Sequence, residues 1–137
     1  MTIVSPISDI SEDQLISHIE TSIKHIEPFP IRLHGLTKSF DDYLFLIVSN
    51  GIQKIIDLYN TLHTGILAPY SQKEYKFNPH ITLGYFRNKY DEFDNNLYTT
   101  AYQEATILNF DISTTFDHIA LLKGNDSSPP EIIKMFY

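Results

Sequence analysis

Tyr43-Leu44-Phe45-Leu46-Ile47-Val48 leaves the chain few ways to fold. An almost wholly apolar run of this length, entered by Asp41-Asp42 and followed by Asn50-Gly51, reads as a strand in the middle of a sheet. Before it, Pro28 and Pro30 close a helix and open the extended segment Ile31-Arg32-Leu33-His34-Gly35-Leu36. Alternation there turns Ile31 and Leu33 inward and Arg32 and His34 to the opposite face. With Asp41-Asp42 as the turn, the two segments form a hairpin.

Helical spacing recurs around this hairpin. Ser11 and Gln14 have the form of a capping box, and Leu15, Ile16, Ile19, Ile23 and Ile26 trace the apolar stripe of a helix from about Glu12 to Ile26. His18 and His25 flank that stripe as polar residues. A second helix follows Asn50-Gly51, with Ile52, Ile55, Ile56, Tyr59 and Leu62 inward and Gly65 as its C-terminal cap. A loop over 66–76 leads to another strand. A third helix is expected from about Asp94 to Ala105, with Leu97, Ala101 and Ala105 on its inner face. Strands Leu108 to Ser113, Phe116 to Leu122 and Ile132 to Tyr137 complete the chain, and Thr2 to Ile7 reads as the end of a strand. Hairpins with interspersed helices make this an α+β domain with mostly antiparallel sheets, one domain over 1–137.

The formal charge of −7 argues against broad capture of duplex nucleic acid, while leaving room for a small phosphate ester or an RNA end in a local pocket. No apolar run approaches a membrane span, so no membrane partner is expected. The absence of cysteine removes disulfides and thiolate metal sites and suits a cytoplasmic protein. No histidine pair has the i, i+4 helical spacing with a nearby glutamate base, so no metal and no cofactor is expected.

Phe77-Asn78-Pro79-His80-Ile81-Thr82-Leu83-Gly84-Tyr85-Phe86 carries the chemistry. Asn78-Pro79 biases the chain to extended backbone, and the alternation that follows puts His80 and Thr82 on one face, Ile81 and Leu83 on the other. An imidazole beside a hydroxyl can move a proton and donate a hydrogen bond to a phosphoryl oxygen. The bare spacing is weak, since a chain of this composition supplies roughly one by chance, and a half-buried strand with an exposed histidine is the bland alternative. Arg32, on its own strand face with His34, is a candidate phosphate contact. His34 has no hydroxyl two residues on and reads better as a satisfied surface or cleft histidine. His118, preceded by Asp117, has a partner within reach, yet its spacing demands no role.

Together with the order of strands and helices, the Pro79-His80-Ile81-Thr82-Leu83-Gly84 context and the Leu62-His63-Thr64-Gly65-Ile66-Leu67 segment resemble the 2H phosphoesterases, within them the 2'-5' RNA ligase and cyclic phosphodiesterase type. The resemblance implies a bilobal, pseudo-symmetric α+β fold with two His-x-Thr/Ser motifs. It implies metal-free acid/base catalysis on 2',3'-cyclic phosphates or 2'-5' phosphodiesters, with His80 and Thr82 as catalytic residues and the threonines neutralising the phosphoryl oxygens. Thr2-Ile3-Val4-Ser5-Pro6 lines up with the first motif from its threonine onward, so that its histidine would fall one residue before Met1. On this reading the chain lacks the family's first strand and helix, through a misassigned start or trimming, and is catalytically impaired. Its exposed surface would suit a homodimer. A natural half-site, or a partner chain that completes the site, are the competing explanations. Thr2, Arg32 and Tyr85 are the expected substrate-binding residues. A nucleotide- or RNA-end-binding module without turnover is the alternative function, and a structural domain with no ligand the blandest.

Overall fold

The computed structural model describes residues 1–71, 76–88, 90–125 and 128–137. Helix α1 (Glu12–Ile23) precedes the hairpin β1 (Phe29–Lys38) and β2 (Tyr43–Asn50). Helix α2 (Ile52–Leu62) and a 3-10 helix (Gly65–Tyr70) lead to β3 (His80–Tyr85). Then come α3 (Asn95–Leu108), β4 (Asp111–Phe116) and the hairpin β5 (Ile119–Asn125) and β6 (Ser128–Phe136). Four strands form one antiparallel sheet in the order β3-β2-β1-β4, and β5 and β6 form a second, two-stranded one. The result is an α+β fold of antiparallel sheets flanked by helices, with the apolar β2 inside the larger sheet as its sequence requires.

One face of that sheet makes the core. Phe29, Ile31, Leu33, Leu46 and Val48 pack with Ile55 of α2. Each such side chain contributes about 1.5–3 kcal/mol on burial. Ile19, Leu58, Leu62 and Phe136 join α1, α2 and β6 in a second cluster. Two ion pairs, Lys123 with Glu12 and Lys134 with Glu20, tie the small sheet to α1. Leu44, Phe86 and Ala105 seat α3 on the far end. The Ser11–Gln14 capping box forms, and α1 ends at Ile23, short of Ile26. Ile26 still packs on the core from beyond the helix.

Several expectations need correction. Residues Thr2 to Ile7 form no strand. Ile3 and Val4 are held instead by side-chain packing against the core, without backbone pairing. Helix α3 runs on through Leu108, capped by Asn109 in the left-handed conformation, so the expected strand from Leu108 begins only at Asp111. Its inner face is Tyr98, Ala101 and Ala105, and Leu97 points outward. Phe116 closes β4 by stacking on Phe29 at 5.1 Å, and the next strand starts at Ile119. Helix α2 is capped at His63, while Gly65 starts the 3-10 helix that replaces the first part of the expected loop. The rest of that loop lies partly outside the described residues, as does Lys89 after β3. Ile52 is largely exposed, and Leu58 takes the buried place on α2.

Candidate active site on the open face of the sheet

The face of the large sheet away from the helices carries the candidate site. Strand β3 pairs with β2 as Ile47 with His80, Leu46 with Ile81 and Phe45 with Thr82. Directly paired residues share a face, so Ile81 joins Leu46 against the core while His80 and Thr82 stand beside Ile47 and Phe45 on the open side. Pro79, fully buried, anchors the strand entry just before the histidine.

Leu83 departs from the simple alternation. Thr82 opposes Phe45 and Gly84 opposes Leu44, so Leu83 is an extra residue in a β-bulge. It is 39% exposed and not a core residue. The bulge moves Gly84 to the core face, where a Cβ would fall 2.8 Å from the Phe86 ring, and brings Tyr85 round to pair with Tyr43. Unbroken alternation would have turned Tyr85 away from His80.

An aromatic row results. Tyr85 lies 4.5 Å from Tyr43, Tyr43 6.0 Å from Phe45, and Phe45 stacks on the His80 imidazole at 3.7 Å, ring centre to ring centre. His80 Nδ1 is 2.7 Å from the carbonyl oxygen of Asn78. A carbonyl only accepts, so Nδ1 carries the proton and the neutral ring presents its Nε2 lone pair outward. The carbonyl thus sets which nitrogen carries the proton, and Phe45 sets the plane of the ring. The exposed Thr82 hydroxyl makes no hydrogen bond among the described residues. The Tyr85 hydroxyl points to Asp91 at 3.5 Å, and burial, with Asp91 and Tyr43 adding to it against the pull of Arg87, keeps this phenol protonated above its ordinary range.

Of the other expected contacts, Arg32 belongs to the open face of β1 but is engaged. Its Nε and Nη2 donate to the two Asp111 carboxylate oxygens at 2.7 and 2.6 Å. That bond holds the Asp111 carboxyl below the usual carboxylate range. Thr2 is exposed in the irregular N-terminal segment and is not part of the sheet. His34, paired with Asp111, donates its Nδ1 proton to the Phe110 carbonyl at 3.0 Å.

Three further histidines, His18, His63 and His118, have structural partners. His18 Nε2 donates to the Leu62 carbonyl at 2.8 Å and joins α1 to the end of α2. His63 Nδ1 donates to the Tyr59 carbonyl at 2.8 Å, and His118 Nδ1 pairs with Asp117 at 2.5 Å. Among the described residues no three histidine or acidic side chains gather as a metal site, and no helix is long and apolar enough to cross a membrane.

Sequence reading missed Phe45 and Tyr43 as site residues. Their signal was there: in the apolar run they alternate with Leu44, Leu46 and Val48, so one set must face away from the core.

The model of the 2'-5' RNA ligase superfamily matches residues 1–127. The chain belongs to this superfamily. A search of the curated proteins finds no match to it. The superfamily match takes in β3 and the whole open face, so the clamped imidazole of His80 lies inside the matched region.

Proposed function

We propose that this 2'-5' RNA ligase superfamily chain binds and turns over a small phosphate ester, a 2',3'-cyclic phosphate or a 2'-5' phosphodiester, on the open face of its large sheet. The observation that carries the reading is the clamp on His80: the Asn78 carbonyl holds Nδ1–H, so Nε2 is free to take a proton from an attacking water or hydroxyl. Thr82, on the same face, donates to a phosphoryl oxygen and offsets the charge that grows there in the transition state. Tyr85 and Tyr43 offer a stacking surface for a base, an interaction of about 1–3 kcal/mol per base. Arg32 and Thr2 are the further proposed substrate contacts, Arg32 from the open face and Thr2 by its place in the first motif.

The test is turnover of a 2',3'-cyclic nucleotide by the protein and its His80→Ala variant. Removing one acid/base group is expected to cost about 10²–10⁴ in rate. Equal turnover by both would remove His80 from the mechanism. A second reading, phosphate recognition without turnover, is favoured by the Thr82 hydroxyl standing beside His80 on the open face. It predicts saturable binding of a nucleoside 2'-phosphate with no hydrolysis of the cyclic substrate.

A further inference from the structure

We infer that Tyr85 and Asp91 read the base of the nucleotide and select guanine. The inference rests on the phosphoester reading of His80 and names the nucleotide that this face takes.

Asp91 is exposed, yet its geometry is fixed. Its backbone is left-handed, with a φ of 62°, its N–H donates to the Asn88 carbonyl at 3.0 Å, and its own carbonyl accepts from Arg87 Nη1 at 3.1 Å. Arg87 Nη1 also pairs with Asp91 Oδ2 at 3.2 Å, while Arg87 Nε donates to Asp42 at 3.0 Å. Asp42 is nearly buried in the β1–β2 turn and is held there by Lys38. An aspartate in an exposed turn is thereby tied back to the large sheet. Its Oδ1 remains, and the Tyr85 hydroxyl donates to that oxygen at 3.5 Å.

Two accepting oxygens therefore lie side by side. A carboxylate only accepts, and the phenol hydrogen is spent on Asp91, so the Tyr85 oxygen presents its lone pairs. Guanine is the one common base whose Watson–Crick edge carries two adjacent donors, N1–H and the N2 amino group. Adenine and cytosine set a single amino group beside a ring-nitrogen lone pair, and uracil sets one N–H between two carbonyls. Each of these turns an acceptor toward an acceptor, and a mismatched edge leaves polar groups unpaired.

The row of rings brings a base to this pair. His80 and Tyr85 stand at its two ends, and their partners on β2, Ile47 and Tyr43, are four residues apart, about 13 Å at the rise of a strand. That is the length of one nucleotide with a hydrogen bond at either end. With the phosphate at His80 Nε2 and Thr82, the ribose lies over Phe45 and the base reaches the tilted pair of Tyr43 and Tyr85, whose ring centres are 4.5 Å apart. The far edge of the base then meets the Tyr85 hydroxyl and Asp91.

The experiment is calorimetric titration at pH 7 with the 2'-monophosphates of guanosine, inosine and adenosine. Guanosine is expected to bind about 10-fold tighter than adenosine, with inosine, which keeps N1–H and lacks the amino group, between them. Equal affinities, or tighter binding of adenosine, overturn the selection of guanine and leave the phosphoester reading standing; binding of none overturns both. Asp91→Asn keeps a side chain that tolerates the left-handed backbone but turns a donor toward the base. It is expected to lose the preference for guanosine while binding adenosine as before. A uniform weakening toward all three nucleotides would mean that Asp91 only supports the turn, and it overturns the reading role.

Discussion

Asp42 turns the chain between β1 and β2 with a φ of 68° and is nearly buried. Its carboxylate accepts from Lys38 at 2.9 Å and from Arg87 at 3.0 Å, and its carbonyl accepts from the Phe86 N–H. One residue thus joins the hairpin turn to the segment that leaves β3. The hydrogen bond from Lys38, opposed by burial and helped by the charges of Lys38 and Arg87, holds the carboxyl below its ordinary range. A depressed carboxyl contributes stability that is complete above its unfolded pKa, near 4, and is lost as pH falls through the folded value. Asp42→Asn, which tolerates the left-handed backbone, is expected to be less stable at pH 7 and to show a shallower fall in stability from pH 5 to pH 2, read from urea unfolding midpoints. At the site, Thr82→Val keeps the shape and removes the donor. Its kcat on a cyclic nucleotide is expected to drop by about 10²–10³, with the His80 NMR signal unchanged in the free protein.

Among the elements, the bulges decide the site. Gly84 has an ordinary φ, so its constraint is one of space: a methyl there meets the buried Phe86 ring, which is packed with Leu44, Ala105 and Tyr98. Gly84→Ala is expected to destabilise the protein by about 1–3 kcal/mol in urea unfolding, and to loosen the pairing of Tyr85 with Tyr43. The same elements show what the sequence could and could not disclose. The β1–β2 hairpin, α1 with its cap, α2 and the His80 strand were legible because their apolar spacing is long and their punctuation strong. Leu83 was misphased because a bulge leaves no mark in a short alternating run, and the Leu33–Leu36 bulge hid behind a glycine that reads as any turn. Leu97 was read one position out of phase because Tyr98, the true inward residue, is amphipathic. Thr2 to Ile7 has strand-forming residues yet forms no strand, since propensity does not supply a neighbouring edge.

For the molecule as a whole, charge limits the partners. The net charge is −7, and both arginines and Lys38, Lys123 and Lys134 are already paired with carboxylates. A protein of this net charge, with both arginines committed to carboxylates, should bind a nucleotide through few phosphate contacts. Duplex RNA or DNA at micromolar protein in about 0.1 M salt is expected to give no change in fluorescence anisotropy. For a nucleoside 2'-phosphate the slope of log affinity on log salt should be near that of a single contact, far from the slope of about −10 of a duplex binder. The bulge at Leu83 also bears on self-association. Strand β3 is an outer strand of its sheet, and a regular outer strand is a template on which another chain can add. The extra residue breaks the even spacing of amide and carbonyl groups along that edge, so an incoming strand finds no continuous ladder to extend. The device that brings Tyr85 beside His80 thereby also blunts the edge of the strand that carries them.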